Sequence, residues 1–261
     1  MSIPLSFLEP ARGLRLAKVI TQEGTQPYPL AKTFTSHTTY LEASQTGLEE
    51  AFKLLQAHAI KGHCVHKGVL KEPILNESRR GKSDSNAPTA LLVLDLDDYK
   101  PEVRLPASGI TSAHLTATVE AIRAELPEPL RSASCIANAS SSTGMKADGV
   151  IGLHLFFLLE HSVPVSQLTH WLTGLNFCVE GFQSQLKLNR SGMSVKWVCD
   201  PVVARNSQLI YISAPEMVGV TDPFVTPADR WALVQGATPT CNLLPTLVNL
   251  VPATVQQVAE R

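Results

Sequence analysis

The stretch ALLVLDLD, residues 90–97, decides how the rest of the chain is read. Pro88 precedes it and the polar DYKPE follows, so an apolar run of strand length is bounded by turn formers and predicts a buried strand. Asp95 and Asp97 lie two apart at its end. Side chains alternate along a strand, so both carboxylates share one face where the chain leaves the core. Adjacent anions repel, and a cation between them relieves the repulsion. Donor sets made only of oxygen suit Mg²⁺ or Mn²⁺. The competing reading is a solvated strand end in which Asp serves as a turn former, and Asp98 fits that account.

Outward from this strand, helices and strands alternate. Downstream, TSAHLTATVEAIRAEL (111–126) reads as a helix ending before Pro127, and CIANASSS (135–142) as a strand entering a serine-rich turn. GVIGLHLFFLLE (149–160) is a second strong strand, and SVPVSQLTHWLTGLNF (162–177) a helix starting at Ser166. KWVCDPVV (196–203) and QLIYISAP (208–215) read as a third and a fourth strand. Upstream, TGLEEAFKLLQAHAI (46–60) has helical spacing, with Thr46 as cap and Gly62 as terminator. Residues 1–40 are interrupted by Pro4, Pro10, Pro27 and Pro29, and beyond residue 220 Pro and Thr break the pattern. The alternation predicts an α/β or α+β protein. One catalytic domain is expected over 1–261, with its core at 30–215 and a C-terminal extension at 216–261. The closing LVNLVPATVQQVAER reads as the start of an element that continues past the last residue.

Composition constrains the function classes. Aromatics make up 6% of a chain that is 44% hydrophobic, so aliphatic side chains must fill the core. A formal net charge of -1 provides no global basic field, so any nucleic-acid binding has to rest on local patches. Cys64, Cys135, Cys178, Cys199 and Cys241 are widely spaced, without CxxC or zinc-type Cys/His spacing, and no secretory segment opens the chain. They read as reduced core thiols of a cytoplasmic protein. No apolar run is long enough for a bilayer, so no membrane partner is expected.

Two further residues join the carboxylate pair. His154 lies within the second strong strand, where a lone His is usually a satisfied core residue. Gly152, two positions earlier, leaves that face open to close approach by a ligand or by backbone. Asp200 closes WVCD and offers a third carboxylate, with a strand-end turn at Pro201 as the alternative.

The ordered set LVLDLD (92–97), GLH (152–154) and VCD (198–200) resembles the three motifs of the archaeo-eukaryotic primase superfamily. The resemblance is to primase-polymerase catalytic domains of the phage, prophage and plasmid type. NESRRGKSDSNAPT (76–89), SSSTG (140–144) and NSQLIYISAP (206–215) support it from the flanks. It implies an N-terminal α/β unit packed on an RRM-like sheet, with the active site in a cleft between them. It also implies a DNA template and primer and (d)NTP as partners. Asp95, Asp97 and Asp200 would then hold two Mg²⁺ or Mn²⁺ ions. His154 would donate to the triphosphate, together with Ser140, Ser141 and Ser142 of the serine turn. Arg79, Arg80 and Lys82 would touch triphosphate or template backbone, and Lys187, Arg190 and Lys196 form a second basic patch. Neither a zinc module nor GxxxxGKS is present, so a helicase or helix-bundle module is expected C-terminal to residue 261.

Rival readings are a DxD phosphatase, a DxD glycosyltransferase and a catalytically inactive nucleic-acid-binding domain. A haloacid-dehalogenase-like phosphatase calls for Thr or Val soon after the second Asp, near the N-terminus, and DLDDYKP meets neither condition. A glycosyltransferase leaves GLH and QLIY unexplained. The presence of all three acids and the His argues against an inactive domain.

Overall fold

A computed structural model of the chain describes residues 1–146 and 149–247. The N-terminal part contains β1 (Ser2–Pro10), β2 (Val19–Thr21), β3 (Gly24–Gln26), β4 (Phe34–Glu42), α1 (Gln45–Ile60) and β5 (Cys64–His66). The middle contains β6 (Thr89–Tyr99), α2 (Ser112–Glu125), α3 (Glu128–Ser132), β7 (Cys135–Ala139), β8 (Ile151–Val163) and α4 (Val165–Cys178). Then follow α5 (Glu180–Gln183), β9 (Lys187–Leu188), β10 (Val195–Lys196), β11 (Leu209–Tyr211), β12 (Glu216–Val218) and β13 (Trp231–Val234).

Two four-stranded sheets dominate, one in the order β11-β5-β1-β4 and the other β13-β7-β8-β6. All their pairs are antiparallel. A small sheet β12-β2-β3 contains a parallel pair, and β9 and β10 form a hairpin. The protein is therefore mixed α+β with open sheets. One apolar core joins both large sheets: Ile3, Leu5 and Phe7 of β1 share it with Leu92, Val93 and Leu94 of β6 and with Leu48 and Leu55 of α1. It also takes in Trp231 and Leu243.

Several elements differ from expectation for identifiable reasons. β1 forms despite Pro4 and Pro10 because β5 pairs only with Ser6, Phe7 and Leu8. The flank beside Pro4 therefore needs no ladder donor. Ser44, not Thr46, caps α1 by accepting from the Gly47 amide. Gly47 has no Cβ to collide with the Glu42 carbonyl, which lets the helix begin tightly after β4. α4 starts at Val165, directly after Pro164. KWVCDPVV is not a single strand: Lys196 ends the β10 hairpin strand, Leu96 and Cys199 form an isolated bridge, and Pro201 opens a 3-10 turn. β13, in the stretch where Pro and Thr obscure any pattern, pairs with β7. Of the five thiols, all free, Cys178 is exposed and the other four are buried. No described helix is long and apolar enough to cross a membrane. From Val248 onward, the expected closing element lies outside the described residues.

Candidate active site

In the second sheet, β8 lies between β6 and β7. Its His154 pairs with Asp95 on one side and with Asn138 on the other. Cross-strand partners point to the same face, so the three polar side chains form one row. His154 Nε2 lies 3.4 Å from Asp95 Oδ1, and His154 Nδ1 lies 3.3 Å from Asn138 Oδ1. Both ring nitrogens thus face oxygen acceptors, and a proton on either one satisfies its neighbour.

Residues 198–200 extend the row on the far side of β6. The Asp200 amide donates to the Asp95 carbonyl at 2.9 Å, and the Asp97 amide donates to the Val198 carbonyl at 2.9 Å. The other flank of this segment is closed by a side chain. Asn176 of α4 donates through Nδ2 to the Cys199 carbonyl at 2.8 Å and accepts the Cys199 amide at Oδ1 at 2.9 Å. A buried carboxamide here takes the place of a neighbouring strand. The three sequence motifs therefore meet on adjacent backbone.

Asp98 is diverted. The β6–β8 ladder is irregular between Leu96 and Tyr99, and Asp98 has φ 51. Such an irregularity re-aims a side chain. Its carboxylate pairs with Lys146 and, at 2.6 Å, with Lys196, and these contacts hold it below the usual carboxylate range, Lys146 foremost. Asp97 and Asp200 have no ion-pair partner among the described residues. Lost hydration, then the Asp95 charge, raises the Asp97 carboxyl, although the residue keeps an open solvent side. Asp200 is raised by burial and by Asp95, against the opposing Val202 amide and Arg205. The carboxylate oxygens do not all close to within 4.8 Å of one another. As a donor set, three neighbouring carboxylates made only of oxygen fit Mg²⁺ or Mn²⁺.

The serine turn follows β7 and folds back on β8. Ser140 donates its amide to the Gly152 carbonyl at 2.9 Å, and Thr143 Oγ1 bonds both the amide and the carbonyl of Gly152. A Cβ at Gly152 would collide with Ser140 Oγ. The space that Gly152 leaves is therefore taken by Ser140 and does not stay open to a ligand. Ser141 is buried, and its hydroxyl has no well-formed hydrogen bond. Ser142 is half-buried. Tyr28 reaches the same region: burial pushes its phenol up to about 12, Asp95 and Asp97 add to the rise, and Ser141 opposes it. Tyr28 stacks on Tyr211 at 3.9 Å, and Tyr211 in turn feels Arg79. The tyrosines span from the carboxylates to the arginine loop.

In that loop, Arg79 donates to the Ser207 carbonyl at 2.8 Å, while Lys82 pairs with Glu72 at 2.6 Å and Glu77 at 3.2 Å. Arg79, Arg80 and Lys32 line a cavity of about 450 Å³ that the three aspartates do not line. Lys187 and Lys196 face each other across the β9–β10 hairpin, but Lys196 is engaged by Asp98, which leaves Lys187 and Arg190 as exposed cations.

Sequence reasoning missed Asn138, Tyr28, Asn176 and Arg230. Asn138 had a signal, as a polar residue inside the apolar CIANA. Arg230 had none: it is fully buried, pairs with Asp222 at 2.7 Å and donates to the Ser140 carbonyl at 3.0 Å, which braces the serine turn. Comparison with protein families, with curated proteins and with solved structures returned no significant match.

Proposed function

We infer that the protein is a DNA primase-polymerase catalytic domain, joining nucleotides from (d)NTP to a primer 3′-hydroxyl on a DNA template. The observation that carries this reading is the convergence of Asp95, His154 and Asp200, from three motifs far apart in sequence, on neighbouring backbone. The element order β6-α2-β7-β8-α4, followed by residues 198–200 along β6, supports it as well. With α3 after α2 and the Leu96–Cys199 bridge in place of a last strand, that order is compatible with the RRM-like sheet that the resemblance implies.

Asp95, Asp97 and Asp200 would hold two Mg²⁺ or Mn²⁺ ions. When bound, these supply charge neutralisation and in-line orientation for phosphoryl transfer. The chain's own residues do the positioning. Asp98 is withdrawn by Lys146 and Lys196, so it does not compete. Asn138 fixes the His154 ring, which turns Nε2 toward the carboxylates, where it can donate to a phosphate oxygen. Arg230 braces the serine turn, which would face the triphosphate.

The test is incorporation of labelled dNTP on a primed template with Mg²⁺ or Mn²⁺, beside thermal melts with metal and dNTP. Ligand at about a hundred times its dissociation constant stabilises the native state by about 2.7 kcal/mol. No incorporation, or an equal melting shift in the Asp95/Asp97 double variant, overturns the assignment.

A further inference from the structure

Away from the aspartates, the end of α1 folds over one end of the first sheet and gathers three histidines and a glutamate. Glu9 and Phe7 come from β1, and His37 of β4 stands opposite Phe7 in the register. His58 belongs to the last turn of α1, and His63 to the turn before β5. The Phe7 ring stacks flat on His58, with centroids 3.8 Å apart. His37 Nε2 is 2.8 Å from Glu9 Oε2, and His58 Nδ1 is 2.8 Å from His63 Nδ1. One ligand atom from each of Glu9, His37 and His63 lies within 4.8 Å of the other two, and among the described residues no other trio of His, Cys, Asp or Glu does this.

We propose that Glu9, His37 and His63 bind one divalent transition-metal ion of the zinc class. Two imidazoles and a carboxylate select a borderline ion over Mg²⁺, which prefers oxygen. The proton balance permits it. Against Glu9, His37 presents an Nε2–H; to bind the ion a neutral ring moves that proton to Nδ1 through solvent, and a protonated ring releases it, so that Nε2 offers its lone pair in either case. Two ligands on a tetrahedral ion stand about 3.4 Å apart, given bonds of about 2.0–2.1 Å. The pair therefore opens by about half an ångström, and both side chains are exposed enough to move. His58 acts from behind. Two Nδ1 atoms in contact share one proton; when His63 is the donor, its Nε2 lone pair is available to the ion and His58 is the acceptor. Phe7 holds the His58 ring in place for that contact. Lys61 is close enough to be felt by Glu9, His58 and His63, and the Glu9 charge offsets it. Three protein ligands, two of them exposed, leave a coordination position open to solvent, the arrangement of a reactive rather than a closed structural centre.

The test is calorimetric titration of the full chain with Zn²⁺ under excess Mg²⁺, with Co²⁺ absorption reporting coordination. Wild type binds one equivalent. Glu9→Gln and His37→Gln, both surface changes that leave the metal-free melt as in wild type, weaken Zn²⁺ binding by at least about tenfold. Asp95→Asn with Asp97→Asn leaves Zn²⁺ binding intact. Wild-type affinity in both surface variants, binding lost only with the aspartates, or no stoichiometric binding overturns the proposal.

Discussion

The Asp200 amide donates to the Asp95 carbonyl at 2.9 Å, so the third carboxylate of the site is tied to the first through backbone. Replacing either side chain leaves that bond in place. Asp95→Asn, Asp97→Asn and Asp200→Asn are each expected to lower nucleotide incorporation more than about a hundredfold with the fold retained. Asp97 and Asp200 have raised carboxyls, so their ionisation costs stability as pH rises above the unfolded value of 3.8. Their amide variants should melt no lower than wild type at neutral pH. Asp200→Ala differs, because Asp200 Oδ1 caps the Val202 amide at 2.9 Å, and losing that cap costs about 1 kcal/mol. Primer extension beside thermal melts checks all four; wild-type synthesis by a DxD variant would contradict the site.

His154→Ala should raise KM for nucleotide about tenfold to a hundredfold while leaving DNA affinity near wild type. The basis is a ring held at Nδ1 by Asn138 and directed by Nε2 at the carboxylates. Asn138→Ala should move the same parameter in the same direction by less, since it frees the ring without removing it. Steady-state kinetics against dNTP, with a DNA titration, separate this from a packing role. A lower melting temperature with unchanged KM and kcat would return His154 to the core.

DNA binding should be weak and steeply salt-dependent. In the loop before β6, Lys82 is committed to Glu72 and Glu77, whereas Arg79 and Arg80 line the open cavity. Replacing Arg79 and Arg80 by Ala should flatten the logarithmic salt slope by about one unit for each phosphate that is no longer neutralised. Lys82→Ala should change it little. Equal effects from all three, or none from the arginines, would contradict this division.

Lys67 is 1% exposed, and its ammonium donates to Thr89 Oγ1 at 3.4 Å and to the Ala204 carbonyl at 3.5 Å. Burial brings its pKa down to about 7 from 10.5. Between those values the unfolded chain binds more protons than the native one, so stability rises with pH, by at most about 1.4 kcal/mol per unit. Cys64 and Cys135, pushed up to about 12, act in the opposite direction above pH 9.0, so the window to read is pH 7 to 9. Lys67→Met should abolish the rise and stabilise the protein at pH 7. Denaturant titrations across that window test it; an unchanged slope would mean that the ammonium finds solvent.

The strands that carry the candidate site were legible because they are buried on both faces. LVLDLD and GLHLFFLLE are near-continuous apolar runs in which a charge or an imidazole stands out. The residues that hold the site together were not. Asn176 occupies an ordinary helical position, and its role depends on a segment about two dozen residues downstream. β1 was hidden by its two prolines, and β13 is too short at four residues to show alternation. The histidine cluster comes from β1, β4, α1 and a turn, and no spacing along the chain announces it.

The two bonds between the Asn176 carboxamide and Cys199 set what position 176 tolerates. Aspartate keeps the acceptor but loses the donor, and brings a charge into a buried site. Glutamine has both groups but overshoots by one methylene, and leucine leaves an amide and a carbonyl buried without partners, at about 1–3 kcal/mol each. Random mutagenesis selected only for folding should therefore keep this asparagine as stringently as selection for activity keeps the aspartates. The two selections would part company at Asp97, which only the proposed chemistry would protect.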